Sequence, residues 1–276
     1  MKYSIVISES KTKFGPIVFR ENLKENIKKV SELGYNGVEL AIRNPKSINI
    51  SKIEKLIENN NLQIVALGTG QIYFDDGLSF SDAKKSIREE AVKRVKDIIN
   101  IASYFNAFVI IGLIRGKINS LDSITKKLEI AEERISECLF ECISYSRNNS
   151  VNFLLEPINR YETNIFNKLE DVSNFLIKFE NRLDTARIGI LADTFHMNIE
   201  EAVIEDSFKT YFKLIKHVHF ADSNRYPPGY GHINFNKIMN VLKTNKYNKY
   251  ISFEMLPFPD SDISAKIALE FIKKLI

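Results

Sequence analysis

Three carboxylates and one imidazole, Glu156, Asp193, His219 and Glu254, fall at the ends of short apolar runs in the second half of the chain. Brought to one place, these groups would repel one another unless a cation lay between them. Oxygen donors with a single nitrogen suit a hard or borderline divalent ion such as Mn2+, Mg2+ or Co2+. With no cysteine among them, a closed structural zinc site is the poorer fit. The competing explanation is that each acid merely caps a neighbouring helix.

Other side chains fall close to the same run ends. Arg43, in Ala-Ile-Arg-Asn-Pro, and Arg115, in Ile-Gly-Leu-Ile-Arg-Gly, follow two of the earlier runs. The planar guanidinium suits bidentate recognition of a carboxylate, so one or both are expected to hold an acidic end of a substrate. Their alternative is an ion pair with a loop acid such as Asp75 or Asp76. Gln71 and Tyr73 are candidates to line the same mouth. His217 shares a strand face with His219 under two-residue alternation, as a neighbour of the site or as a packed interior residue. His232, in Pro-Pro-Gly-Tyr-Gly-His, is expected to be exposed.

These residues need a scaffold that gathers run ends. Eight apolar runs, at 3–8, 37–41, 63–68, 108–112, 152–156, 188–193, 217–220 and 250–254, are Ile- and Val-rich and read as buried parallel strands. Amphipathic segments lie between them, at about 82–106, 120–148, 170–179, 235–244 and 261–275. A further helix around Ile53 and Ile57 is expected to open with a Ser51/Glu54 capping box. Eight β-then-α units without a linker predict one (β/α)8 TIM barrel spanning residues 1–276, whose reactive groups sit at the C-terminal strand ends. A doubly wound open sheet is the rival, but no Gly-x-Gly-x-x-Gly follows the first strand.

Composition narrows the function classes. The net charge of +4 is mild, and the lysines alternate with glutamates as on a solvated face, which argues against nucleic-acid binding. No apolar run approaches the ~20 residues that cross a bilayer, and the N-terminus lacks a signal-peptide pattern, so a cytoplasmic protein without a membrane partner is expected. Cys138 and Cys142, four apart on a predicted helix, are poorly placed for a disulfide and are expected to be reduced.

The spacings Glu156-x5-Glu162, Asp193-x2-His196 and His219-x5-Arg225, with Glu254 on the last strand, resemble the metal-dependent ketose 3-epimerases of the xylose-isomerase-like barrel superfamily. More closely, Ala-Leu-Gly-Thr-Gly-Gln (66–71), Ile-Leu-Ala-Asp-Thr-Phe-His-Met-Asn-Ile-Glu-Glu (190–201) and Ala-Asp-Ser-Asn-Arg (221–225) are similar to the 5-keto-L-gluconate epimerases of bacterial inositol catabolism. The resemblance implies that Glu156, Asp193, His219 and Glu254 hold the metal, with Mn2+ first and Co2+ or Mg2+ as alternatives. It implies that Glu162, His196 and Arg225 contact the substrate. Relatives of this kind commonly form dimers or tetramers; Tyr247, Tyr250 and Phe258 are candidates for such an interface or for packing on the last helix.

The implied reaction is epimerisation beside a ketone, 5-keto-L-gluconate to D-tagaturonate. The metal stabilises an enediolate, and Glu156 and Glu254 act as paired acid and base. Neutral ketose 3-epimerases, aldose–ketose isomerases of the hydroxypyruvate isomerase type and inosose dehydratases are the alternatives. Endonuclease IV shares the superfamily but draws zinc-binding histidines from the first half of its barrel. Here all four histidines lie beyond residue 195.

Overall fold

The computed structural model describes residues 1–118 and 124–275. Eight parallel strands close on themselves: β1 (Lys2–Ser8), β3 (Gly37–Ala41), β4 (Gln63–Gly68), β5 (Phe108–Ile111), β6 (Phe153–Leu155), β7 (Ile188–Asp193), β8 (Ile215–Phe220) and β9 (Tyr250–Phe253). Closure comes from β1 pairing with both β3 and β9, with Ile5 opposite Val38 on one side and Phe253 on the other. A two-residue strand, β2 (Phe19–Arg20), adds to β1 through Ile7 and Ser8. The expected barrel is the observed fold.

Alternation along each strand explains how apolar runs can end in polar site residues. Phe153, Leu155, Ile190, Ala192, Val218 and Phe220 belong to the main core beneath the helices. Leu154 and Leu191 form a separate cluster with Ala66 and Ile110 inside the barrel. Continuing the two-residue rhythm from Leu154 and Leu191 turns Glu156 and Asp193 inward. Register then aligns the donors: Asp193 pairs with His219 across β7 and β8, and His219 with Ser252 across β8 and β9.

The helices depart from expectation mainly at their ends and where they are short. α1 (Leu23–Glu32), which the sequence reading passes over, buries Leu23, Ile27 and Val30 at helical spacing. α2 (Ile50–Asn59) begins before the proposed capping box: Asn49 is its cap, its side chain accepting the Lys52 N–H at 2.9 Å. The next are α3 (Gly70–Asp76), α4 (Lys85–Phe105) and α5 (Ile124–Tyr145); the start expected for α5, Ser120, lies outside the described residues. α6 (Leu169–Lys178), α9 (Phe235–Thr244) and α10 (Ser261–Lys273) follow the expected segments, while α7 (Thr194–Glu200) and α8 (Ile204–Thr210) are additional. Cys138 and Cys142 are free and buried on α5, where burial pushes the Cys138 thiol up to about 12. Tyr247 is also buried, donating to the Tyr250 carbonyl at 2.8 Å, so it belongs to the core and not to a surface patch. Among the described residues, no helix is long and apolar enough to cross a membrane.

Candidate metal and sugar site

Glu156, Asp193, His219 and Glu254 converge at the C-terminal mouth of the barrel, each offering a donor atom within 4.8 Å of the others, and all four are buried. Nδ1 of His219 stands 3.7 Å from Asp193 Oδ2, and 3.8 Å from both Glu156 Oε1 and Glu254 Oε2. Among the described residues, Glu156 Oε1 and His219 Nδ1 have no hydrogen-bond partner. Buried polar atoms are rarely left unpaired, and here two such atoms face one gap. A divalent cation fits that gap, because it would meet all four donors and relieve the repulsion among three acids. Gly112 makes room for this arrangement: a Cβ there would fall 2.5 Å from Glu156 Oε2.

The helix-capping alternative accounts for one atom. Asp193 Oδ1 accepts the Phe195 N–H at 2.8 Å and so caps α7, while Oδ2 remains in the cluster. Arg225 bonds that Oδ2 at 2.7 Å and also pairs with Glu254 Oε2. Burial raises the Asp193 carboxyl, but Arg225, with His196 and His219, outweighs it and holds the group well below the usual range. The two glutamates go the other way. Burial and then the charge of Glu254 push Glu156 up to about 8, and burial pushes Glu254 up to about 7 against the pull of Arg225.

His196 and Glu162 join the same cavity, of about 420 Å3. His196 Nδ1 receives the Asn159 side-chain amide at 2.8 Å and the Asn159 backbone N–H at 3.4 Å. Those two donors assign the ring proton to Nε2, which lies 4.0 Å from both Glu156 and Asp193. Burial, with Arg225 and Arg115 adding to it, pulls His196 down to about 3, so it is neutral and presents a donor to the cavity. Asn159 also donates to Glu162 Oε1 at 2.8 Å. The spacing of charged residues does not single out Asn159, although it lies inside the motif Glu156-Pro-Ile-Asn159.

Gln71 is buried in the cavity wall. Ser8 Oγ donates to the Ser10 carbonyl at 2.9 Å and so must accept from Gln71 Nε2, also at 2.9 Å. The amide is thereby oriented with Oε1 turned away from Ser8, and that oxygen has no partner among the described residues. Glu39, in the middle of β3, is a second residue the sequence reading missed: it meets both His217 and His219. His232 is exposed, as expected.

The two early arginines are not brought to the mouth, and the expected carboxylate clamp is corrected. Arg115 is fully buried. Its guanidinium donates four of its five N–H groups to the carbonyls of Gly112, Glu156, Ile165 and Phe166 at 2.7–3.1 Å, and its full burial keeps it from a ligand in the cavity. It fastens the loop that carries Glu156 and Glu162. Arg43 is bound to Asp76 at 2.6 Å, one of the two alternatives, and Asp76 is shared with Arg94. Arg115→Met is therefore expected to destabilise the fold by about 3 kcal/mol or more, because four buried acceptors lose their donor. Arg43→Met should change KM for acidic and neutral sugars alike by less than about twofold. Denaturant titration and paired kinetics check both.

The sequence model of the xylose isomerase-like TIM barrel family matches residues 27–275. The chain belongs to that family. Relatives similar to it in sequence are named epimerases, which agrees with the expectation of an isomerase. The 3-dehydro-D-guloside 4-epimerase of Escherichia coli is 25% identical over 241 residues, covering 86% of this chain and 88% of that protein. The L-ribulose 3-epimerase of a Methylomonas strain is 26% identical, covering 87% of each. The barrel also matches the crystal structure of D-allulose 3-epimerase from Methylomonas in complex with D-allulose, with a TM-score of 0.80 at 22% identity over 100% of this chain and 98% of that one.

Proposed function

We propose that this family member is a cytoplasmic, metal-dependent epimerase that inverts the carbon beside the ketone of a ketose or keto-sugar acid. The observation that carries the reading is the gap bounded by four buried donors, two of them glutamates with raised pKa and two of the atoms unpaired. Glu156, Asp193, His219 and Glu254 would hold the ion, Mn2+ first. When bound, it supplies the positive charge that an enediolate needs.

The chain's own residues do the rest. One of Glu156 and Glu254 takes the proton from the carbon; the C–H bonding pair becomes the C=C bond of the enediolate and the carbonyl π pair moves onto the ketone oxygen. The other returns a proton to the opposite face, and the carbonyl is restored with inverted configuration and no net redox change. His196 donates from Nε2 to a substrate oxygen, Glu162 accepts from a hydroxyl, and Arg225 keeps Glu254 aligned. Gln71 Oε1 accepts from a hydroxyl further along the substrate. Gln71→Leu removes that acceptor and should lower kcat/KM about tenfold, the scale of one neutral hydrogen bond, with kcat at saturation less affected. Steady-state kinetics on whichever sugar the protein epimerises would show it.

The similarity of the blocks at 66–71, 190–201 and 221–225 supports 5-keto-L-gluconate to D-tagaturonate as the substrate pair, in inositol catabolism. The cavity favours a second reading, a neutral ketose. Arg225 is the sole Lys or Arg in its wall among the described residues, it is already shared by two acids, and the free end of Gln71 suits a hydroxyl better than a carboxylate. Incubating the Mn2+-loaded protein in D2O with 5-keto-L-gluconate, D-fructose and D-tagatose separates the readings by NMR. Deuterium beside the ketone, together with the epimer as product, is the expected result with at least one of them. Absence of exchange with all three, in protein shown to bind metal, would overturn the epimerase reading.

A further inference from the structure

We propose that Glu39 is a positioning residue: braced on one side by His217, its carboxylate fixes the ring of His219 so that Nδ1 presents a bare lone pair to Glu156, Asp193 and Glu254. This rests on the metal-site reading above and adds to it a part of the barrel remote from the strand ends.

Glu39 occupies the middle of β3, where Val38 and Leu40 pack outward into the main core and its own side chain turns inward, almost fully buried. β3 does not pair with β8, so contact between them has to cross the barrel interior. Glu39 makes that crossing with both oxygens. Oε2 lies 3.0 Å from His219 Nε2, and Oε1 is hydrogen-bonded to His217 Nε2. The two imidazoles stand 5.4 Å apart at 80°, so each offers one N–H to a different oxygen of the same carboxylate.

An ionised carboxylate accepts hydrogen bonds and donates none. The His219 proton facing it is therefore on Nε2, and in the neutral ring Nδ1 is left as an acceptor. Among the described residues that atom has no hydrogen-bond partner, and it points at the three acids. Without Glu39 the ring could rotate or carry its proton on the wrong nitrogen, and a protonated Nδ1 cannot ligate. His217 acts one step further away: by occupying Oε1 it holds the carboxylate plane with Oε2 aimed at His219. Carboxylates placed behind ligating histidines commonly change metal affinity by about 10- to 100-fold when removed.

The test uses the full-length protein stripped with chelator and titrated with Mn2+ by calorimetry. Glu39→Leu, which removes both acceptors, should weaken Mn2+ binding by about 10- to 100-fold. Glu39→Gln should stay within about fivefold of wild type, because its amide oxygen can still take the His219 N–H while its NH2 donates to His217 Nε2, the His217 proton moving to Nδ1. A residue that merely supported the fold would not separate the two variants in this way. Glu39→Leu losing less than about threefold, or Glu39→Gln falling as far as Glu39→Leu, would overturn the proposal. Should the leucine variant not fold, the wild-type protein loaded with Mg2+ decides by long-range 1H–15N NMR. A proton on His219 Nε2 is expected, and one on Nδ1 overturns the inference. Wild-type protein that binds none of Mn2+, Co2+ and Mg2+ would remove the metal reading itself, whereas binding that Glu39→Leu leaves untouched removes only this inference.

Discussion

Glu254→Gln protein, saturated with Mn2+, is expected to epimerise its substrate at least a hundredfold more slowly than wild type while keeping its fold. The amide preserves the shape of the side chain and an oxygen for Arg225, which pairs with Glu254 in the native protein. What it loses is the ability to take or return a proton, a contribution of about 10²- to 10⁴-fold for a positioned acid or base. Weaker metal binding could mimic that loss, since an amide is a poorer ligand than a carboxylate. Stereochemistry separates the two causes. With one glutamate gone, the other can still remove and replace a proton on its own face. Glu254→Gln in D2O should then wash deuterium into one epimer of the substrate without inverting it, and Glu156→Gln should do the same to the opposite epimer. A defect of metal loading alone would lower exchange and inversion together. Retention of more than about a tenth of wild-type kcat would defeat the two-glutamate mechanism.

The barrel and the convergence of its four donors were legible because they depend on the most local signals. Buried parallel strands read as apolar runs, and in a closed barrel their ends must meet. Glu39 was harder to see. Gly-Val-Glu-Leu-Ala (37–41) reads as an ordinary strand with one polar residue, and only closure reveals that this residue faces histidines about 180 positions away. A signal was present nonetheless: a strand buried on both faces has no solvent for an acid, and His217 and His219 share one face of another strand. Arg43 and Arg115 illustrate the opposite limit. Both follow strands, yet one ends in an exposed ion pair and the other is enclosed by main-chain carbonyls. That difference is decided by how the loops fold back, which spacing along the chain does not encode. The same holds for α3, α7 and α8, which are too short for helical periodicity to stand out.

Removing the metal should cost the protein both its activity and part of its stability. Three acids and two unpartnered polar atoms enclosed together are an electrostatic burden that a bound ion would relieve, so such an ion would favour the folded chain over the unfolded one. At about 100 times its dissociation constant, a ligand specific to the folded state adds about 2.7 kcal/mol. For a chain of this size, at about 2–4 °C per kcal/mol, that corresponds to a rise in Tm of roughly 5–10 °C. The gain must also depend on pH. Glu156 and Glu254 are raised to about 8 and about 7, so below both values they carry protons that the ion has to displace. Protons leave as pH rises, hence Mn2+ should raise Tm more at pH 8 than at pH 5.5, and chelator-treated protein should recover turnover on addition of Mn2+ or Co2+. Thermal scans with and without Mn2+ at the two pH values measure this directly. A shift absent at both would mean that the cluster holds no ion. A shift of equal size at both would mean that Glu156 and Glu254 enter the complex without giving up protons, and that the raised pKa values belong to the metal-free mouth alone.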